Sequence, residues 1–320
     1  MTAATTMAKP AAGTTGGGRR YALLLALWDS EYSSKVYGGY YNVFVAAFGG
    51  AGGDGERWDC FRVIAGEFPA PEDLASYDGF VVSGSPHDAY GEEPWIADLC
   101  ALIQTLHAMG KRVLGICFGH QVLCRALGGR IGKARNGWDV GVKMVTFVRD
   151  LEGFGFLGDL EELPSSASLI EVHQDEVWEL PPGATVLAFS EKTRVEAFAV
   201  GEHALGIQGH PEYTADILHN LIDRLTSQSA IPASVGEDAR RTVSETGGPD
   251  RAFWMALCKG FLNGGRRSCS LPTPVREPAP EVSSRAIVAG CFTAGTAPVV
   301  QLACRASTGQ LARAFSLHDW

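Results

Sequence analysis

The stretch Arg112-Val-Leu-Gly-Ile-Cys-Phe-Gly-His-Gln121 is the most informative part of this 320-residue chain. Its first half is typical of a buried strand, and residues 118–127 predict a helix that ends at Gly128-Gly129. Between them, Gly115-Ile-Cys-Phe-Gly119 has the spacing of a nucleophile elbow, in which two glycines leave room for a strained turn. A thiol at such a helix N-terminus is stabilised as a thiolate. The stretch therefore predicts Cys117 as a nucleophile, although most cysteines are small buried core residues.

The segments around this stretch predict an α/β fold. Apolar runs typical of buried strands lie at 21–28, 58–64, 78–83 and 112–116, and helical patterns at 38–48 and 94–109 separate them. Alternating strands and helices favour a parallel sheet that is covered on both faces. From 130 to 208 the pattern changes to short strands with Pro/Gly turns, which predicts an antiparallel extension of the sheet. Further helices are expected at 214–227 and 250–262.

Composition and charge separate the body of the chain from its two ends. Hydrophobic residues make up 46% of the chain, so a sizeable core is available. Residues 21–264 carry a net charge of −15, whereas the first 20 residues hold three basic groups and no acid. We expect residues 20–264 to form one catalytic domain. We expect residues 1–19 to be a disordered N-terminal segment and the Pro/Ser/Ala-rich tail at 265–320 to be disordered as well.

The same numbers argue against several classes of partner. A net charge of −9 disfavours general electrostatic binding to nucleic acid or to an anionic membrane. No apolar run approaches the ~20 residues that span a bilayer. The eight cysteines have no metal-ligand spacing, so we expect no metal. Reduced thiols in the cytosol are favoured, because disulfide frameworks belong to small secreted chains, but the acid-free start leaves an organelle transit peptide open.

A second motif supplies partners for a thiolate nucleophile. Gln208-Gly-His-Pro-Glu212 follows an apolar strand and precedes a helix, and sites collect at strand ends in open α/β sheets. A nucleophile needs a proton shuttle and a group that orients the shuttle. His210 and Glu212 offer both, although a His-Pro-Glu turn alone is more often ordinary loop chemistry.

Together, the two motifs resemble those of the class I glutamine amidotransferases. Gly115–Gln121 resembles the nucleophile motif of that superfamily, and Gln208–Glu212 resembles its His/Glu motif, with His210 93 positions after Cys117. Four more stretches resemble plant γ-glutamyl peptidases: Tyr37–Tyr40, Phe80–Asp88, Val172–Val177 and 249–259. The resemblance implies a three-layer, flavodoxin-like fold with a mostly parallel sheet. It also implies hydrolysis of the γ-glutamyl bond of glutathione conjugates.

The resemblance further implies a role for each matching residue. Cys117 would be the nucleophile, His210 the general base and acid, and Glu212 the group that orients His210. Backbone N–H groups at Gly84 and Phe118 would form the oxyanion hole. The substrate pocket would be lined by Ser85, Gln121, His173, Gln174 and Asp175. Such an enzyme needs no metal, no organic cofactor and no protein partner, only a small γ-glutamyl substrate.

Three functions remain open at this point. The first is a free-standing γ-glutamyl peptidase, which the lack of a G-x-x-x-x-G-K-[ST] phosphate loop favours. The second is a glutaminase subunit that delivers ammonia to a separate synthetase, because the same triad serves both reactions. The third is a binding module without catalysis, which the intact set of Cys117, His210 and Glu212 disfavours. Aromatic residues that could accept a bulky leaving group are Tyr37, Tyr40, Tyr90 and Trp138.

Overall fold

The computed structural model describes residues 18–50, 55–149, 151, 153–158, 160 and 163–264. Apart from residues 18 and 19, both predicted disordered ends, 1–19 and 265–320, lie outside these ranges. The division of the chain into a catalytic domain and two disordered ends therefore stays a prediction.

Within the described ranges, strands and helices alternate in the first half of the chain, and strands dominate the second half until three helices close it. The strands are β1 (Arg20–Leu24), β2 (Arg57–Phe61), β3 (Gly79–Val82), β4 (Arg112–Ile116), β5 (Arg130–Lys133), β6 (Asp139–Phe147), β7 (Ser166–His173), β8 (Asp175–Glu179), β9 (Ala184–Phe189), β10 (Ala197–Val200) and β11 (Ala204–Ile207). The helices are α1 (Glu31–Tyr37), α2 (Tyr40–Phe48), α3 (Pro94–Ala108), α4 (Phe118–Ala126), α5 (Ala215–Ser227), α6 (Ala233–Glu245) and α7 (Arg251–Asn263).

Nine of these strands form one mixed sheet in the order β2-β1-β3-β4-β11-β10-β9-β6-β7. The strands from β2 to β11 pair in parallel, and those from β11 to β7 pair antiparallel. The structure therefore confirms the predicted α/β sheet with an antiparallel extension. The remaining strands, β5 and β8, form a separate two-stranded antiparallel sheet.

Two apolar clusters cover the opposite faces of the sheet. In β1, Leu23 belongs to the cluster that α2, α5 and α7 complete, whereas Leu24 belongs to the cluster beneath α3 and α4. This alternation follows from the period of two in a strand. Both residues are fully buried, so the strand has no solvent-facing side and reads as an unbroken apolar run.

The structure differs from the sequence prediction at several elements. The apolar run predicted as a strand over 21–28 ends its ladder at Leu24. Helices α1 and α6 and strands β5 and β8 were not predicted. Helix α6 gives no apolar signal because it buries only Gly236 and Ala239. It packs through small residues instead, and Thr242 Oγ1 accepts a hydrogen bond of 2.8 Å from the N–H of Val142 in β6. Among the described helices, none is long and apolar enough to cross a membrane.

Candidate active site

Cys117 lies in a tight turn between β4 and α4. Its backbone has φ 52° and ψ −105°, a left-handed conformation that costs a non-glycine residue about 1–3 kcal/mol. The side chain is 6% exposed. A backbone hydrogen bond ties the turn to β11, because the Cys117 N–H donates to the Ile207 carbonyl at 2.8 Å. A strained residue at a strand-to-helix turn is the geometry that the elbow motif predicts.

The two glycines of the elbow are required by close backbone contacts. A Cβ at Gly115 would lie 2.3 Å from the carbonyl oxygen of Gly119. A Cβ at Gly119 would lie 2.3 Å from the carbonyl oxygen of Val82 in β3. Neither neighbour can move away easily, because both are backbone atoms of packed elements. The glycines therefore let α4 approach the sheet closely enough to place Cys117 at its edge.

The sheet register brings the second motif to Cys117. Strands β4 and β11 are parallel neighbours in which Ile116 pairs with Ile207, so the residues that follow each strand emerge at the same edge. His210 and Glu212 are both buried there. The Nδ1 of His210 lies 2.8 Å from Oε1 of Glu212. Because a carboxylate accepts, Nδ1 carries the proton and Nε2 is the nitrogen left for other partners.

The charges around His210 favour its protonated form. Burial alone would lower the pKa of His210, but the Glu212 carboxylate and the Cys117 sulfur outweigh burial and raise it to about 10. The ring of Tyr213 stacks on the imidazole with 4.1 Å between centroids and 3° between planes. The arrangement therefore holds an oriented imidazolium beside the sulfur of Cys117.

The predicted oxyanion-hole positions flank these groups. A Cβ at Gly84 would lie 3.0 Å from Cε1 of His210 and 3.7 Å from Cβ of Cys117, so the Gly84 backbone passes directly beside both. The buried Ser83 hydroxyl fixes this loop by accepting from the Ala26 N–H and donating to the Gly84 carbonyl, each at 2.9 Å. Phe118 is the first residue of α4, where an N–H has no acceptor within the helix.

A cavity that Cys117 and His210 both line opens at this edge of the sheet. All five predicted pocket residues line it, together with Cys117 and His210: Ser85, Gln121, His173, Gln174 and Asp175. Gln121 is buried, and its Nε2 donates to the carbonyl of Asp175 at 3.0 Å and to Oε1 of Gln208 at 3.2 Å. Burial raises the pKa of the Asp175 carboxyl, even though the Lys133 ammonium lies 3.2 Å away.

This geometry matches what comparisons with known proteins find. A family model described as glutamine amidotransferase class-I matches residues 61–222. The chain belongs to the class I glutamine amidotransferases. Gamma-glutamyl peptidase 3 of Arabidopsis thaliana is 51% identical over 247 residues, which cover 77% of this chain and 97% of that protein. Gamma-glutamyl peptidase 5 of the same plant is 50% identical and is covered to 96%. Within the amidotransferase family, the chain therefore groups with the gamma-glutamyl peptidases.

Solved structures support the same fold. A glutamine amidotransferase from Thermotoga maritima superposes with a TM-score of 0.55 at 24% identity and covers 77% of this chain and 97% of its own. A glutamine amidotransferase from Methylobacillus flagellatus gives a TM-score of 0.56 at 20% identity, with 79% and 97% covered. These similarities confirm the class I amidotransferase fold that the motifs imply.

Sequence reasoning missed several residues of this amidotransferase site. Gln208, quoted only as part of a motif, is fully buried and points its Nε2 at the Cys117 sulfur from 3.8 Å. Tyr213 and His87 also line the cavity, as do side chains from the start of the chain and from α5: Leu27, Trp28, Leu221, Arg224 and Leu225. Of the four aromatic candidates, Tyr40 and Trp138 line the cavity. Gln208 could have been predicted as a site residue because it directly follows strand β11. No local sequence pattern predicts that the α5 residues line the cavity.

Proposed function

We propose that this member of the gamma-glutamyl peptidases hydrolyses the γ-glutamyl bond of glutathione or glutathione conjugates through a thioester on Cys117. The observation that carries the proposal is the buried arrangement of Cys117, His210 and Glu212, of which Cys117 and His210 line one cavity. A thiolate, a proton shuttle and a group that orients the shuttle are the requirements for nucleophilic acyl transfer.

In the first step, the Cys117 sulfur attacks the γ-carbonyl carbon of the glutamyl group. The carbonyl electrons move to oxygen, where the N–H groups of Gly84 and Phe118 would donate, and one such donor is typically worth about 3–4 kcal/mol. His210 then gives its Nε2 proton to the leaving amine as the C–N bond breaks. His210 carries this proton because its pKa is raised to about 10. Burial lowers the pKa, but Glu212 and Cys117 raise it by more.

In the second step, the neutral His210 accepts a proton from water while the water oxygen attacks the thioester carbonyl. The C–S bond breaks, the sulfur leaves as a thiolate, and glutamate is released. The imidazolium and thiolate are then restored. Every group in this cycle comes from the chain and water. Glu212 holds the imidazole through Nδ1 in both steps, so Nε2 faces the reacting atoms throughout.

The cavity supports a leaving group larger than ammonia. Its lining combines polar groups with apolar and aromatic side chains, which include Leu27, Trp28, Tyr40 and Trp138. Such surfaces accept the cysteinyl and S-linked parts of a conjugate. We further propose that the chain acts in the cytosol on a small molecule, without nucleic acid and without a required protein partner. All five cysteines in the described part are free thiols, which supports a reducing compartment.

The decisive experiment offers the purified protein glutathione, S-benzylglutathione and glutamine, with the α-glutamyl isomer of glutathione as the matched control. We expect glutamate and a cysteinylglycine product from both γ-glutamyl peptides and no cleavage of the α-isomer. Added hydroxylamine should divert product to γ-glutamyl hydroxamate, which reports the thioester. Release of ammonia from glutamine without cleavage of either γ-glutamyl peptide would show a glutaminase instead.

A further inference from the structure

A second buried group of titratable side chains lies behind the cavity wall. Glu171, His173 and Glu196 each offer a polar atom within 4.8 Å of the others, and all three are at most 4% exposed. None of the four carboxylate oxygens, nor Nε2 of His173, has a partner in ordinary hydrogen-bond geometry when both glutamates are ionised, although the Ser190 hydroxyl lies near Glu196. Such groups are costly to bury unless a proton or a cation joins them.

The hydrogen bonds of His173 determine which atom needs a proton. Its Nδ1 lies 3.0 Å from the carbonyl oxygen of Asp175, and because a carbonyl only accepts, Nδ1 must donate. Burial lowers the pKa of His173 to about 4, so the ring is neutral and Nε2 carries a lone pair. Oε2 of Glu171 lies 3.4 Å from that nitrogen. The contact is favourable only when Glu171 carries the proton and donates it to Nε2.

The same reasoning extends to Glu196. The Glu196 carboxyl lies close enough to share a proton with Glu171, since their oxygens come within 4.8 Å of each other. The resulting chain runs from Glu196 through Glu171 and His173 to the Asp175 carbonyl. Each member then has a partner and the group is neutral, as a site with almost no solvent contact requires.

We propose that Glu171 and Glu196 form a neutral, proton-sharing carboxyl pair that fixes the tautomer of His173 and positions the cavity wall for the reaction of Cys117. This proposal rests on the proposed function, because Cys117 chemistry is what the pair would support. Glu171 and Glu196 are positioning residues, since neither lines the cavity.

The chain of contacts continues from the pair to the nucleophile. The Asp175 carbonyl that accepts from His173 also accepts from Nε2 of Gln121. Gln121 in turn donates to Gln208, whose Nε2 points at the Cys117 sulfur. The Glu171 carboxyl also packs against the turn that carries His210, because a Cβ at Gly209 would lie 2.3 Å from its Oε1.

The groups that face the pair come from every element packed against it. Burial raises the pKa of Glu171 well above its usual range, and Glu196, Asp139 and Cys117 act in the same direction. Burial raises the pKa of Glu196 to about 8, with the Ser190 hydroxyl opposing. The other charged or titratable neighbours are Lys143 on β6, which lies 3.6 Å from Asp139, Glu176 on β8, His120 on α4, and Lys192 and His210 beside His173. Ionisation of Glu196 as the pH rises toward 8 should therefore remove a proton from the pair and weaken the chain.

The test compares three substitutions with a control. Glu171→Leu removes the donor to His173, and we expect KM for glutathione to rise about tenfold, since a buried polar atom loses its partner. Glu171→Gln keeps a donor and an acceptor and should recover most of that loss. Glu196→Gln cannot ionise, so the alkaline limb of kcat/KM should move upward from near pH 8. The control Glu179→Gln changes an exposed carboxylate on β8 outside the chain, and its KM should stay within about twofold of wild type.

Melting temperature, pH profile and metal content distinguish the proton-sharing pair from a purely structural contact and from a metal site. If Glu171→Leu only lowers the melting temperature and keeps the wild-type KM and pH profile, the pair is merely structural. If Glu171→Leu does not fold, the two glutamine variants decide. A profile of kcat/KM against pH whose alkaline limb is the same as wild type in both Glu171→Gln and Glu196→Gln overturns the proposal. One zinc or manganese ion per chain by elemental analysis, whose removal reproduces the Glu171→Leu defect, would show a metal site instead of shared protons.

Alkylation of Cys117 by iodoacetamide keeps this test independent of the substrate. Its rate against pH should change in Glu171→Leu and recover in Glu171→Gln, whether or not any γ-glutamyl compound is cleaved. A wild-type protein without turnover would refute the proposed function and leave the alkylation result standing. An alkylation profile identical in all variants, together with wild-type turnover and KM, would refute only the carboxyl pair.

Discussion

Two buried His–Glu pairs lie near each other in this molecule, and the pKa values of their histidines are shifted in opposite directions. In each, the histidine and the glutamate are two residues apart in sequence: His210 with Glu212, and His173 with Glu171. All four side chains are at most 4% exposed. Yet Glu212 and Cys117 overcome burial to raise the pKa of His210 to about 10, whereas burial lowers the pKa of His173 to about 4.

The difference comes from the third group beside each pair. His210 faces the sulfur of Cys117, so a second negative charge favours the imidazolium. Around His173, burial outweighs the attraction of Asp139, and Glu171 faces the carboxyl of Glu196, which together with burial raises the pKa of Glu171. Burial alone therefore does not decide whether a His–Glu pair is ionic or neutral. The balance between burial and the neighbouring charges decides it.

The largest expected effect comes from replacing Cys117, whose sulfur favours the protonated form of His210. Cys117→Ser should lower kcat on the order of 10⁵-fold, as expected for loss of a nucleophile that acts as a unit with its base. It should also lower the pKa of His210 from about 10, because one of the charges that raises it is gone. Steady-state kinetics and histidine NMR titration check the two effects.

Cys124→Ser is the matched control for that substitution. Cys124 is a fully buried thiol on the same helix, and its sulfur contacts only the Glu179 carbonyl in the hydrogen-bond pattern of the described residues, at 3.4 Å. We expect a small loss of stability and nearly unchanged kcat. Equal losses in both serine variants would mean that folding, rather than nucleophilicity, accounts for the effect.

The same chemical change at the two glutamates should have unequal effects. Glu212→Gln removes a charge that the His210 imidazolium needs and should lower kcat on the order of 10³-fold. Glu171→Gln replaces a neutral carboxyl with a neutral amide and should cost far less. Steady-state kinetics and histidine NMR titration on both variants check this, and the pKa of His210 should fall only in Glu212→Gln. Similar kinetic losses in both variants would remove the distinction between the two pairs.

The sequence predicted the ionic pair but not the neutral one. A nucleophile elbow and a His-x-Glu turn are local patterns, and parallel pairing of β4 with β11 brings them together at one sheet edge. The neutral state of the His173–Glu171 pair has no local signal, because it depends on Glu196, which precedes β10 and is distant in sequence from Glu171. Gln208 was missed for a related reason: its contact with Cys117 depends on the register of the sheet and on no motif spacing.

The fold shows the same division between local and tertiary signals. Strand β4 was predicted at its observed bounds, since a fully buried parallel strand is an unbroken apolar run. Helix α6 was missed because it meets β6 and α5 through small residues. A Cβ at Gly236 would lie 2.8 Å from Oγ1 of Thr226 in α5. Close packing of this kind leaves no hydrophobic period in the sequence.

A glycine lies against each pair, and alanine there should affect different properties. Gly84→Ala places a Cβ 3.0 Å from the His210 ring, which should displace the imidazole and lower kcat about 10²-fold. Gly209→Ala places a Cβ 2.3 Å from the Glu171 carboxyl and 2.5 Å from Leu169, which should mainly lower the melting temperature. Kinetics and thermal unfolding on both variants check this. Gly158→Ala, whose Cβ would meet only a carbonyl at 3.4 Å, is the control.

The smallest expected effect is on stability, and its sign follows from the neutral pair. Folded Glu196 keeps its proton up to about pH 8, whereas the unfolded chain releases it near 4.5. Between these values the folded state binds more protons, so the free energy of unfolding falls as pH rises. Glu196→Gln removes this loss and should gain on the order of 2 kcal/mol at pH 8, with almost no gain below pH 4.5. Denaturant unfolding at pH 4, 6 and 8 measures the difference. Glu31→Gln changes an exposed carboxylate and should show no such gain, so equal gains in both variants would argue against a neutral Glu196.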